Sequence, residues 1–169
     1  MRDKRFVAAH RGGPLDLDHH RLLAIWAADC GERVLPIFEQ DRSDERPRKA
    51  IAVARAWANG EVSTGAAQVA AYAAHAAARE ATKPEVIAAA RTAGHAVATA
   101  HFADHSLVAA NFALKTIEMA GGSLQEEYLW QIAQLPEPIR KLVISGMERR
   151  PTRCAPSTPP QVRWLKGRV

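Results

Sequence analysis

The sequence predicts an all-α protein, an irregular single-domain bundle of six or seven helices. Alanine makes up about a fifth of the 169 residues, and aromatic residues make up only 6%. This composition is typical of closely packed helices, because alanine has the highest helix propensity, and it is not typical of a β-sandwich. Capping residues, prolines and glycine pairs divide the chain into segments of helical length. A chain of this length forms one ordinary domain with a buried core.

The first ordered segment is expected after the loop at residues 11–14, as a helix that Asp16 or Asp18 caps and that ends near Phe38. Apolar residues recur along this helix at helical spacing, which predicts one buried face. That face comprises Leu23, Trp26, Ala27, Cys30 and Val34.

Two further helices follow in the first half of the chain. The second has Ser43 or Asp44 as its cap and Asn59-Gly60 as its stop, and the third begins at Ser63 or Thr64. The third helix is almost purely alanine apart from one polar stripe. This stripe consists of Gln68, Tyr72, His75 and Arg79.

The segment from Glu85 to Met119 is too long for an ordinary helix, so we predict a break near residues 102–104. The fourth helix then ends near Ala100, and Asp104 caps the fifth. The alanine faces of the third and fourth helices should let neighbouring backbones approach closely. The fifth helix is apolar nearly all round and is therefore expected to be central. The polar line of the fourth helix consists of Arg91, His95 and Thr99.

Two helices complete the bundle. Gly121-Gly122 ends the fifth helix, and Ser123 caps a sixth, with Glu126 at the capping-box position. A final helix is predicted from about Pro138 to Arg149.

The basic charge of the chain is concentrated at its C-terminal end. Residues 149–169 hold six arginine or lysine residues and no acidic residue, so residues 1–148 carry 17 basic against 18 acidic groups despite a net charge of +5. We predict a helical domain at 1–150 and a basic, proline-rich tail at 151–169 that is irregular or disordered. Such a tail can attract nucleic acid weakly and in a salt-dependent way, whereas the near-neutral domain gives no sign of a nucleic-acid partner.

Cysteine usage and the charged N-terminus predict a cytoplasmic protein. Cys30 and Cys154 form no CxxC motif, and Cys30 lies among apolar residues, which is typical of a reducing compartment. The charged N-terminus is not followed by an apolar stretch, and the chain has no long uncharged apolar span. We therefore expect no membrane partner.

His101 and His105 are candidate metal ligands, because a spacing of four residues places two imidazoles on one face of a continuous helix. A third ligand would come from Asp104, His95 or His75. The glutamate of an HExxH motif is absent, and the predicted break would spoil the geometry of the pair. The alternative is that these histidines form hydrogen bonds between packed helices.

A second group of candidates surrounds the Gly12-Gly13 loop before the first helix, and these residues could cradle an anion or contact a partner. Asp16 and Asp18 occupy the capping positions that an anion would take, which favours a structural turn. The candidate partner-binding residues are His10, Arg11, His19 and His20.

Five groups of short motifs stand in order along residues 9–150. They are Arg11-Gly12-Gly13-Pro14-Leu15; Asp29-Cys30; Arg46-Pro47-Arg48-Lys49-Ala50-Ile51 with Ala56-Trp57; Ala93-Gly94-His95-Ala96-Val97-Ala98-Thr99-Ala100-His101 with Asp104-His105; and Gln134-Leu135-Pro136 with Ile139-Arg140. Together they resemble the helical immunity proteins of bacterial polymorphic toxin systems. The resemblance does not extend to the tail.

This resemblance implies a cytoplasmic protein that binds and neutralises a cognate toxin by occlusion. The sequence has no phosphate-binding loop, dinucleotide fingerprint or nucleophile elbow, so we expect no catalytic residues and no cofactor. Two alternatives remain. One is a nucleic-acid accessory protein that binds through its tail. The other is a helical metal-binding or small-molecule-binding protein that uses His75, His95, His101 and His105.

Overall fold

The structure, a computed structural model, describes residues 3–149 and confirms the all-α, single-domain prediction for them. Every helix in this range falls short of the length and hydrophobicity that a bilayer-spanning segment requires. The predicted tail at 151–169 and Cys154 lie outside the described residues. The described helices are α1 (Leu17–Glu39), α2 (Arg46–Ala58), α3 (Thr64–Glu80), α4 (Pro84–Ala98), α5 (His105–Met119), α6 (Leu124–Ala133) and α7 (Glu137–Arg149).

Three of the predicted helix caps are confirmed. Asp16 accepts a hydrogen bond from the His19 amide at 2.9 Å, and Ser63 and Ser123 cap α3 and α6 in the same way. The cap of α2 differs from the prediction, because Glu45 occupies the capping position. The other predicted cap of the third helix, Thr64, is instead its first residue.

Asp44 and Asp104 are predicted to cap α2 and α5, but neither side chain makes the expected capping hydrogen bond. Asp44 lies one residue outside α2, where its carboxylate accepts a hydrogen bond from the Arg46 amide at 3.0 Å. Asp104 occupies the capping position of α5 but makes no side-chain cap hydrogen bond. The predicted break between the fourth and fifth helices is confirmed, because α4 ends at Ala98 and α5 begins at His105.

Helix α4 forms the centre of the bundle, with α1, α2, α3 and α5 packed around it. Ten of its fifteen residues are buried, and most of them are alanine or glycine. The prediction that the fifth helix is central is wrong, because one side of α5 faces solvent and Met119 at its end is 46% exposed. Small side chains all round α4 allow four helices to pack against it, whereas α5 buries only the face that carries Ala109, Ala110 and Ala113.

The chain is ordered before the loop at residues 11–14, contrary to the prediction. Two 3₁₀ turns, Lys4–Phe6 and Ala9–Arg11, precede α1, and an isolated bridge joins Ala8 to Leu15. The ring of Phe6 is 2% exposed and packs against α7. A Cβ atom at Gly146 of α7 would lie 2.9 Å from this ring, so the glycine makes room for it.

A buried network of hydrogen bonds connects α6 to α1. The Glu127 carboxylate is 2% exposed and accepts hydrogen bonds from Gln131 at 2.9 Å and Arg33 at 3.3 Å. The indole N–H of Trp26 donates to the backbone carbonyl of Gln131 at 2.9 Å. Burial, with a smaller contribution from the Glu127 charge, raises the pKa of the neighbouring Cys30 thiol. Cys30 therefore packs as a small apolar residue, as predicted.

Candidate functional site

Four histidines that are distant in sequence come together where α3, α4 and the start of α5 meet. His75 lies on α3, His95 on α4, His101 in the turn after α4, and His105 at the first position of α5. Their ring centroids form a chain with spacings of 4.8 Å (75 to 95), 5.2 Å (95 to 105) and 5.2 Å (105 to 101). All four side chains are half-buried. We call these four residues the histidine corner.

His95 and His105 meet edge to edge. Their Nδ1 atoms are 3.1 Å apart and their ring planes differ by 21°. The centroid separation of 5.2 Å is close to this nitrogen–nitrogen distance plus one ring radius on each side. One Nδ1–H therefore donates to the lone pair of the other Nδ1, which requires opposite tautomers when both rings are neutral.

The geometry of this pair is that of a hydrogen bond between two nitrogen atoms and not that of two ligands of one metal ion. Two imidazoles that bind one metal direct both lone pairs toward a third point, whereas the Nδ1 atoms of His95 and His105 point at each other. Among residues 3–149, no group of three His, Cys, Asp or Glu side chains is placed to hold a metal ion. His101 and His105 also do not share the face of a continuous helix, because the break between α4 and α5 separates them.

His75 packs against the backbone of α4 because residue 94 is glycine. A Cβ atom at Gly94 would lie 2.6 Å from Cε1 of the His75 ring. The other members of the predicted polar stripe, including Tyr72 and Arg79, are exposed, whereas His75 turns toward α4. Burial, followed by the charges of Arg91 and Arg79, lowers the pKa of His75. The packing therefore favours the neutral ring.

Phe112 borders the corner on the α5 side. Its ring lies nearly parallel to that of His95, at 5.3 Å between centroids and 11° between planes. The Nζ atom of Lys115 lies 5.8 Å from the Phe112 centroid, within range of a cation–π interaction. Sequence reasoning missed Phe112 as a site residue, although it follows His105 by seven residues and so shares its face of the helix.

Phe102 and Arg11 border the corner on the opposite side. The Phe102 ring lies 4.8 Å from that of His101, and the Arg11 guanidinium carbon lies 4.5 Å from the Phe102 centroid. A cleft of about 30 Å³ separates these residues from residues 6–8. This volume has room for about one water molecule and is too small for an organic ligand.

His20, one of the predicted partner-binding residues, belongs to the core. Its side chain is 1% exposed, its Nε2–H donates to the Thr99 carbonyl at 2.6 Å, and its ring lies 4.8 Å from that of Trp57. Burial lowers the pKa of His20, although the hydrogen bond to Thr99 opposes this effect. Thr99, predicted on a polar line, is itself buried.

The other candidate partner-binding residues of the Gly12-Gly13 loop do not lie together in the structure. His19 pairs with the Asp16 carboxylate at 2.7 Å, and His10 is exposed. Arg11 alone of this group borders the histidine corner. A Cβ atom at Gly13 would lie 1.9 Å from the carbonyl oxygen of residue 7, so this loop is a tight structural turn.

Replacing Gly94 with alanine should destabilise the protein and disturb the histidine corner. The added Cβ would displace the His75 ring, at a cost of about 1–3 kcal/mol for overpacking. The gain in helix propensity, about 1 kcal/mol, offsets part of this cost. Urea unfolding and the NMR signals of the imidazole groups measure both effects.

Gly65→Ala is the matched control for this substitution. A Cβ atom there would have its closest contact at 3.7 Å, which is ordinary van der Waals packing. This variant should be as stable as the wild type or more stable. A Gly94→Ala variant with unchanged stability and unchanged imidazole signals would contradict the close packing of His75 on α4.

The free energy of unfolding should decrease as the pH falls from about 7.5 to 5.5. His20 and His75 have pKa values below the ordinary 6.5 in the folded protein. In this range the unfolded chain therefore takes up protons that the folded protein does not, which favours unfolding as the pH falls. Urea denaturation at a series of pH values measures the slope.

The variant His75→Gln should show a shallower pH dependence than the wild type, because one of the two groups is removed. Gln68→Ala changes an exposed, non-titrating residue of the same helix and should reproduce the wild-type slope. A free energy that stays constant or rises as the pH falls would show that the two buried histidines do not favour their neutral forms.

Comparison with known families places this architecture in one of them. A family model described as "Imm-5 like putative immunity protein" matches residues 13–138. This range contains α1 to α6 and all four residues of the histidine corner. No match to the chain was found among curated proteins or among solved structures. Because the match spans most of the chain, the protein belongs to the Imm-5 like putative immunity protein family.

Proposed function

We propose that this protein binds a toxin of a bacterial polymorphic toxin system and neutralises it by occupying the toxin's surface. The family match over residues 13–138 is the observation that carries this proposal. Neutralisation by occlusion needs a stable surface rather than a catalytic centre, and a well-packed helical bundle supplies one. The protein acts in the cytoplasm in this proposal, which agrees with the free, buried thiol of Cys30.

The alternative function as a metal-binding or small-molecule-binding protein has one observation in its favour, the convergence of four histidines. The edge-to-edge pairing of His95 with His105 occupies one nitrogen, Nδ1, of each ring, which removes these two atoms as metal ligands. The cleft beside His101 is too small for an organic molecule. The pairing and the small cleft therefore give the ligand-binding alternative less support than the family match gives a protein partner.

Co-expression tests the proposed function. A toxin domain encoded beside this chain is produced in a bacterial host, with and without the full chain, and growth is measured. We expect the full chain to restore growth only when its amount matches that of the toxin, because occlusion consumes one molecule per toxin. A stoichiometric complex should then elute from a size-exclusion column.

Two outcomes would contradict the proposal. Growth that stays inhibited although both proteins accumulate in soluble form would show that this toxin is not neutralised. Restored growth at a small fraction of the toxin's amount, without a stable complex, would indicate catalysis instead of occlusion. A helical protein of similar size and charge, expressed at the same level, controls for a general effect of expression on growth.

A further inference from the structure

The cations around the histidine corner differ from most other cations of the domain because they lack carboxylate partners. Arg46 pairs with Asp44 and Glu80, and Arg55 pairs with Asp29. Within residues 3–149, no such ion pair is formed by four basic residues near the corner. These are Arg11, Arg79, Arg91 and Lys115, which we call the cationic rim.

Three rim residues lie on the three helices that contribute to the corner, and Arg11 lies on the second 3₁₀ turn. Arg79 stands four residues after His75 on α3, and Arg91 four residues before His95 on α4, so each shares a helix face with a histidine. Arg11 and Lys115 lie over the two phenylalanines that border the corner. Asp104, the acidic residue adjacent to His105, is buried.

We propose that the histidine corner and its cationic rim form the surface that binds acidic side chains of the toxin. This inference rests on the proposed function and adds the chemistry of the contact to it. Guanidinium groups bind carboxylates through two parallel hydrogen bonds, and the ammonium group of Lys115 adds a further charged donor. Tyr72, one turn before His75 and 74% exposed, supplies an apolar contact next to these charges.

Aromatic contacts favour carboxylates over nucleic acid as the target. Proteins that bind single-stranded nucleic acid present free aromatic faces on which bases stack. Here Arg11 covers a face of Phe102, and Phe112 is contacted by both His95 and Lys115. The phenylalanines therefore contact cations, and the exposed Tyr72 offers one stacking face instead of the successive faces that bind single-stranded nucleic acid.

Titration of the full-length protein with an N-acetylated decaglutamate peptide tests this proposal. Imidazole NMR signals report binding at the corner, and calorimetry gives the affinity at low and moderate salt. We expect the peptide to shift the signals of the corner, with an affinity that falls as salt rises. A decaglutamine peptide should cause no shift.

A charge-matched pair of triple variants separates the rim from net charge. The variant R11Q/R91Q/K115Q removes three rim cations, and the control K4Q/K141Q/R149Q removes three exposed cations elsewhere that form no ion pair within residues 3–149. We expect the rim variant to bind decaglutamate about tenfold more weakly and the control to bind like the wild type. All six positions are at least partly exposed, so both variants should keep the wild-type melting temperature.

Several results would overturn the proposal. They are unshifted corner signals, equal losses in the two triple variants, or stronger binding of a short oligothymidylate than of decaglutamate at the corner.

The co-expression assay distinguishes this failure from failure of the proposed function. If the wild type and the rim variant neutralise the toxin equally well and bind it with the same affinity, the contact surface lies elsewhere and the immunity function stands. If neither protects against the toxin, the immunity function fails, and the peptide titration still decides whether the corner binds carboxylates.

Discussion

The small side chains of α4 are the constraint on which the rest of the structure depends. Ala27, Ala96 and Ala109 meet where α1, α4 and α5 pack together, and each is fully buried. Alanine and glycine allow backbones to approach closely, whereas any larger residue at these positions would force the helices apart. The same closeness brings His75 of α3 against Gly94 and directs it toward His95. The histidine corner is therefore a product of core packing.

Charged residues in the domain serve two different purposes. One set joins helices, as when Arg55 connects Asp29 of α1 to α2, or when Arg33 reaches the buried Glu127 of α6. Other basic residues, the four of the cationic rim among them, form no such ion pair within residues 3–149. Exposed ion pairs contribute little to stability, so the absence of such pairs at the rim costs the fold little. The rim cations are the ones that we propose to bind carboxylates of the partner.

Local signals in the sequence were sufficient to predict most of the fold, but not the contacts between helices. Asp16, Ser63 and Ser123 mark helix starts because capping depends on neighbouring residues only. The same local reasoning predicts that α5 is central, which is wrong. It also includes His20 among the candidate partner-binding residues although His20 is buried, because burial depends on which helices pack together. The four histidines could be named as a group from the sequence. Their edge-to-edge pairing and the roles of Gly94, Phe102 and Phe112 could not, since these depend on the distance between α3, α4 and α5.

The most direct test of this structure is an NMR measurement of the hydrogen bond between His95 and His105 in the full-length protein. With ¹⁵N-labelled histidine, a hydrogen bond between the two Nδ1 atoms gives a scalar coupling between their nitrogen nuclei. We expect this coupling at neutral pH, with one ring protonated at Nδ1 and the other at Nε2. Independent tautomers in the two rings, without a coupling between them, would contradict the pairing of His95 with His105 on which the description of the corner depends.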